Sequence, residues 1–171
     1  MLHGKRVDLT PFMPADITPQ YVGWLNDPQV VRLSNQRFRR HDEASCAAYL
    51  RTFEGSDNRF FSIRLRESGQ AIGTATAYFS RDHGTVDCGI LLGAPATWGK
   101  GLGQDAWDTL TGWCAEQPGI RKVTAGTLDC NTGMLRLMER SGLKLEATRK
   151  AQELVNGQPH DILLFARFTG H

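Results

Sequence analysis

Residues 85–113 constrain the fold more than any other stretch. Thr85 to Leu92 alternates like a strand, and then comes Trp98-Gly99-Lys100-Gly101-Leu102-Gly103. After it Leu102, Ala106, Leu110 and Trp113 share one helical face. The order is strand, glycine loop, helix start. A helix start exposes unpaired N–H groups and the positive end of the helix dipole, which together attract anions. Glycine lets the backbone approach a phosphate with no Cβ in between. The segment predicts a cradle for a pyrophosphate.

The rest of the chain narrows which pyrophosphate. Lys100 is followed by Gly101, whereas a Walker loop requires Ser or Thr there. A dinucleotide fingerprint requires a parallel β-α-β unit and an acidic residue about 20 positions on. Asp129 lies further away, and the preceding segments read as antiparallel strands. Lys5 to Leu9 is a first strand, with Val7 and Leu9 apolar. Thr18-Pro19 opens a helix that carries Tyr21, Val22 and Leu25 and stops near Asn26-Asp27-Pro28. A second helix starts at Asp42, with Cys46, Tyr49, Leu50 and Phe53 at its spacing. The period then becomes two: Phe61, Ile63 and Leu65, a turn at Glu67-Ser68-Gly69, then Ile72, Thr74, Thr76 and Tyr78.

Beyond the loop, the helix ends near Pro118-Gly119, and Val123, Ala125 and Thr127 mark a strand. Asn131 caps another helix, which Gly142 closes, and Asn156-Gly157 turns a final hairpin. The order β-α-α-β-β-β-α-β-α-β-β predicts an α+β fold with a mixed, mainly antiparallel sheet. No linker or repeat divides the chain, so residues 1–171 are expected to form one domain.

Composition excludes some classes. The formal net charge is only +2, which argues against a nucleic-acid-binding surface. No stretch is long and apolar enough to span a membrane. Cys46, Cys88, Cys114 and Cys130 have neither CxxC nor zinc-finger spacing. No metal is expected. Isolated thiols, and an N-terminus without an apolar run, point to the cytoplasm.

The glycine loop resembles the coenzyme A loop of the GNAT N-acetyltransferases, whose pattern is Gln/Arg-x-x-Gly-x-Gly/Ala. Trp98 departs from it at the first position. That departure is similar to the branch of ribosomal-protein N-terminal acetyltransferases, in which Trp-Gly-Lys-Gly-aromatic-Gly is frequent. Trp24-Leu25-Asn26-Asp27-Pro28, Gly89, and the stretch from Asn131 to Gly142-Leu143 resemble further elements of that branch, so the likeness spans nearly the whole chain.

The resemblance implies a central sheet that splays at the cofactor site, between Asp87–Leu92 and Val123–Leu128, with helices flanking it. It implies acetyl-CoA as cosubstrate. Ile90, Leu91 and Leu92 would offer backbone groups to the pantetheine arm, and Gly99, Lys100, Gly101, Leu102, Gly103 and Gln104 would surround the pyrophosphate. Trp98 would support the cradle, and Asn131 would bond the arm from the far side. Lys100 and Arg136 are within reach of cofactor phosphates on this reading.

Acetyl transfer to an amine requires a base for the ammonium, donors for the oxyanion and an exit for the thiolate. Asp87 is the candidate base, acting through water; its plain alternative is a strand-end carboxylate paired with an arginine. The Leu91 N–H is a candidate oxyanion donor. Met138 stands where many relatives carry a tyrosine acid, leaving Tyr78, Ser141 or water for that role. His83 and His160 read as solvated turn residues. Cys130 reads as a small apolar residue with no histidine in reach.

Trp24 and Tyr78 are the aromatic residues expected at the acceptor. Arg37, Arg39, Arg40 and His41 form a basic cluster, either a solvated loop face or a contact for an anionic substrate group. The segment from Arg32 to Arg37 would suit the phosphates of a sugar nucleotide. The expected acceptor is therefore a small-molecule amine such as a nucleotide-linked amino sugar. A peptide N-terminus is the alternative, and a non-catalytic acyl-CoA-binding regulator is a third reading. Homodimers are common among close lookalikes, and Ile162–Phe168 reads as an edge strand open to pairing with a second copy.

Overall fold

Alternation in the first long strand divides the molecule into two cores. Phe61 and Ile63 point to one side, and Phe60 points to the other. The computed structural model describes residues 1–170. Its strands are β1 (Leu2–His3), β2 (Val7–Pro11), β3 (Arg59–Leu65), β4 (Ala71–Ser80), β5 (Thr85–Leu92), β6 (Lys122–Leu128), β7 (Lys144–Val155) and β8 (Gln158–Phe168). Its helices are α1 (Pro19–Asn26), α2 (Pro28–Val31), α3 (Glu43–Arg51), α4 (Leu102–Ala115) and α5 (Thr132–Arg140). The fold is α+β, as the sequence predicts, with β1 and α2 as additions.

Side chains start and stop these helices where expected. The Thr18 hydroxyl accepts the Tyr21 N–H at 3.2 Å, with Pro19 in the first turn of α1. Asp42 and Ser45 cap α3 reciprocally, each side chain accepting the other's backbone N–H. The stop expected near Asn26-Asp27-Pro28 is found: α1 ends at Asn26, and Asp27 is extended. Asp27 accepts the Gln29 N–H at 2.8 Å, and Pro28 begins α2.

The sheet runs β1-β2-β3-β4-β5-β6-β8-β7. Ile162–Phe168, expected at an edge, lies in β8 between β6 and β7, so it has no edge to offer a second copy. Every neighbouring pair is antiparallel except β5–β6. That parallel contact is short: Thr85, Val86 and Asp87 face Lys122, Val123 and Thr124, and then the strands part. Further along, β5 stays paired to β4 as far as Leu92, and β6 stays paired to β8 as far as Leu128. The splay falls between the two strands where it was expected.

The larger core packs α4 and α5 on one face of the sheet. Trp107, Leu110, Val123 and Met138 are fully buried there. Such a side chain contributes roughly 1.5–3 kcal/mol. The other face carries a smaller aromatic core of Phe12, Tyr21, Trp24 and Phe60 beneath α1 and α3. Asn156 and Gly157, both at positive φ, close the β7–β8 hairpin as their sequence predicts. No helix among the described residues is long and apolar enough to cross a membrane.

Candidate active site

The gap between β5 and β6 opens into a cleft of about 1360 Å³. The end of β5, the glycine loop, α5, the α2–α3 connection and the tip of β7 all line it. The cleft therefore brings the predicted cofactor and acceptor segments together.

At one end lies the cradle. Gly99 and Gly101 adopt φ of 72° and 77°, a region that favours glycine, and a Cβ at either would meet no protein atom within 4 Å. Gly101 precedes the first residue of α4, so the helix's free N–H groups open from the loop. Arg6 donates to the Lys100 carbonyl at 2.7 Å and ties the loop to the start of the chain. Leu102 is buried, and neither it nor Lys100 lines the cleft, unlike the expectation for both. Gln104 turns its amide to Asp108 and Ser141, both at 3.0 Å. The loop is open where phosphate oxygens would sit, and the backbone there is of the kind that binds them. It fits a pyrophosphate.

Beyond Asp87 the second edge of β5 has no strand partner among the described residues, and Gly89, Ile90, Leu91 and Leu92 line the cleft. The Leu92 carbonyl, however, accepts the Trp98 indole N–H at 3.0 Å. That oxygen supports the loop. The Leu91 carbonyl faces β4, 2.1 Å from where a Cβ on Gly73 would lie, so its backbone is not on the free edge as expected, and the offer of a backbone group to an incoming arm falls to Ile90. Asn131 lines the cleft as expected, but its side-chain oxygen caps α5 at the Met134 N–H, 3.2 Å away.

Asp87 faces the cleft and accepts the Thr124 hydroxyl at 2.7 Å. No arginine pairs with it among the described residues, unlike its plain structural reading. The residue is exposed at the cleft, while the protein packed around the base of its carboxylate displaces part of its water. This desolvation raises its pKa above the usual carboxylate range, and the Thr124 bond opposes the rise in part.

Other expected residues are placed differently. Trp24 is buried under the sheet, in the aromatic core, and its ring touches Gly93. It holds up the floor rather than lining the cleft. Tyr78 stands beside Asp87 on the neighbouring strand and bonds the Tyr49 hydroxyl at 2.5 Å, and it is Tyr49 that reaches the cleft. Burial and the Tyr78 contact push the Tyr49 phenol well up. Met138 is wholly buried, and Ser141 is bonded to Asp108 and the Leu137 carbonyl between α4 and α5. Neither is placed as an acid.

His160 is not a solvated turn residue. It lies in β8 and meets Asp129 at 2.6 Å, and Cys130 completes a group whose ligand atoms lie within 4.8 Å of one another. A histidine is thus within reach of Cys130, contrary to the sequence reading. Asp129 also accepts the Asp161 N–H, at 3.2 Å, so this group clasps the β6–α5 turn to β8.

Sequence reasoning missed the wall built by β7. Arg149, Gln152 and Glu153 line the cleft, and a bulge interrupts the β7–β8 register between Arg149 and Glu153. Ala151 sits there at φ 48°. Asp161 holds the bulge, accepting the Ala151 N–H and the Lys150 ammonium, each at 2.8 Å. An alanine carries no signal for left-handed backbone, so only the Asp161 pairing betrays the feature.

A family model described as an acetyltransferase (GNAT) domain matches residues 6–144. No curated protein matches the chain. Among solved structures, an acetyltransferase (GNAT family) from Bacillus anthracis aligns with a TM-score of 0.83 at 16% identity, over 99% of this chain and 99% of that one. RimL, a ribosomal L7/L12 alpha-N-protein acetyltransferase in complex with coenzyme A, aligns at 0.83 and 14% identity, over 96% and 94% of the two chains. Spermidine N-acetyltransferase from Vibrio cholerae, in complex with CoA and spermine, aligns at 0.83 and 15% identity, over 96% of both chains. At these identities the likeness carries the fold alone.

Proposed function

The chain belongs to the GNAT acetyltransferase family, and we propose that it moves the acetyl group of acetyl-CoA to the primary amine of a small molecule such as a nucleotide-linked amino sugar. One observation carries the reading: Asp87, the free edge of β5 and the open glycine loop share one cleft. When bound, acetyl-CoA supplies an activated acetyl thioester. The glycine loop would hold its pyrophosphate through backbone N–H groups, and the Ile90 backbone would align its arm along the gap.

Asp87 accepts the proton of the incoming ammonium, directly or through one water. A raised pKa suits this work, because a base is most effective when its pKa lies nearer the working pH. Thr124 keeps the carboxylate aimed at the gap. With Met138 buried and Ser141 engaged elsewhere, the departing thiolate takes its proton from water.

RimL's acceptor is a ribosomal protein, whereas the Vibrio cholerae enzyme is a spermidine N-acetyltransferase. A peptide N-terminus is therefore the second reading. The contacts across the acceptor end favour a compact acceptor. Arg37 donates to the Leu154 carbonyl at 2.8 Å, and Asn35 meets Glu153 at 3.5 Å, joining the α2–α3 connection to β7. The four free cysteines support a reducing compartment, the cytoplasm, as its setting.

The test is thermal stabilisation by acetyl-CoA, coenzyme A and ATP, followed by thiol release with a panel of amines. A ligand at 100 times its Kd stabilises the native state by about 2.7 kcal/mol. Stabilisation by acetyl-CoA but not ATP is expected, with turnover of a small amine. Stabilisation by ATP alone, or no thiol release with any amine, would overturn the assignment.

A further inference from the structure

Eight of the chain's fifteen arginines are engaged by hydrogen bonds or ion pairs, among them Arg6, Arg37, Arg64 and Arg167. The other seven have no such partner among the described residues, and six of those seven line the one cleft: Arg32, Arg39, Arg40, Arg136, Arg140 and Arg149. Only two carboxylates, Asp87 and Glu153, share the cleft with them. The chain has 20 lysines and arginines against 18 acidic residues. Outside the cleft that leaves fourteen basic residues against sixteen acidic, so the surplus of positive charge is gathered in the cleft.

The six fall into two groups by their place in the fold. Arg136 and Arg140 are on α5, which packs beside the start of α4: Gln104 bonds Ser141, and the Cβ position of Gly103 is 3.8 Å from Leu137. They belong to the cradle end. Arg32, Arg39 and Arg40 lie along the α2–α3 connection, and Arg149 lines the cleft from β7, paired to Ile162 just before the bulge. The bond from Arg37 to the Leu154 carbonyl and the contact between Asn35 and Glu153 join those two elements. All six are exposed, but a guanidinium is a fork of donors suited to phosphate oxygens, and several facing one cleft raise its positive potential.

We infer that Arg32, Arg39, Arg40 and Arg149 form a subsite for a phosphate group carried by the acceptor, so that the enzyme selects anionic amines and rejects cationic ones. The inference rests on the acetyltransferase reading given above and names its substrate class. Polyamines, with a charge at each nitrogen, meet like charge on this wall. Sugar phosphates and nucleoside diphosphate sugars share the phosphate chemistry, and the size of the chamber decides between them.

The test compares kcat/KM for glucosamine, glucosamine 6-phosphate, a uridine-diphosphate-linked amino sugar and spermidine. At low salt a phosphate-bearing amine is expected to exceed glucosamine by roughly tenfold to a hundredfold, the worth of charge-assisted hydrogen bonds. The advantage should shrink as salt rises, since exposed charges are screened. R39Q/R40Q and R149Q should raise KM for the phosphate-bearing amine about tenfold each, while KM for glucosamine and for acetyl-CoA stays put. Equal use of glucosamine and its phosphate, or preference for spermidine, overturns the subsite. So does an equal loss by these variants with glucosamine.

A binding arm separates this inference from the catalytic one. Coenzyme A-loaded protein is titrated with inorganic pyrophosphate, with and without R39Q/R40Q. Binding that the variant loses supports the subsite even if no amine is turned over; absence of binding by the wild type sinks it even if acetyl transfer is found.

Discussion

Asp87 and Thr124 are the last residues that β5 and β6 hold in register, and the Thr124 hydroxyl donates to the Asp87 carboxylate at 2.7 Å where the strands part. The carboxylate is thus fixed at the apex of the gap. If it is the base, Asp87→Asn should keep the fold and lose roughly 100-fold or more in kcat, within the usual range for such a group. Thr124→Val should cost less, because it leaves the carboxylate in place but unaimed. Steady-state thiol release measures both. An Asp87→Asn variant within threefold of wild type would remove Asp87 from the chemistry.

Burial raises the Asp87 pKa, and the sign of its effect on stability follows. Between the ordinary carboxylate range and the raised value, the native state binds the proton and the unfolded state has released it. Stability then falls as pH rises through that window, by at most the slope of one proton. Asp87→Asn has no proton to lose there. Its Tm should therefore gain on wild type as pH climbs from acid to neutral, and the two should converge at low pH. Melting curves across that range, with coenzyme A absent, make the check.

At the cradle, Gly101 adopts φ 77°, and a Cβ there would project into open space. Gly101→Val therefore brings two penalties. A β-branched residue resists positive φ, costing roughly 1–3 kcal/mol, and its side chain occupies the region predicted for phosphate oxygens. Loss of at least tenfold in acetyl-CoA affinity is expected. Calorimetric titration of the folded variant measures it, and unchanged affinity would place the pyrophosphate elsewhere.

Most of the fold was legible because its signals are local. Thr18-Pro19, Asp42, Asn131 and Asn156-Gly157 each declare an element boundary through their own side chains or backbone preference. The backbone of the glycine loop was legible for the same reason: Gly99 and Gly101 advertise the conformation they adopt. What was illegible depends on long-range contacts. Trp24 looked available for a ligand, but Gly93, 69 residues away, gives it a flat seat against the sheet, where a Cβ would lie 2.0 Å from the ring. The bulge that follows Arg149 rests on Ala151 and a carboxylate ten residues on, and nothing in the local pattern of β7 announces it.

A last long-range bond joins the chain's start to its most informative helix. Asp105, in the first turn of α4, accepts three consecutive backbone N–H groups: Lys5 at 2.9 Å, Arg6 at 2.6 Å and Val7 at 3.0 Å. These N–H groups belong to the bend between β1 and β2, where Val7 is already fully buried. Asp105→Ala would leave three donors unpaired, one of them shielded from water. An unsatisfied buried donor costs about 1–3 kcal/mol, so a loss of about 2–4 kcal/mol in unfolding free energy is expected. Asp105→Asn retains one acceptor oxygen and should lose less. Urea denaturation orders the three proteins. Because Arg6 also holds the Lys100 carbonyl, the alanine variant should in addition bind acetyl-CoA more weakly, through a loosened glycine loop. A variant that unfolds more easily yet binds acetyl-CoA as tightly as wild type would show that the loop holds its shape without this tether.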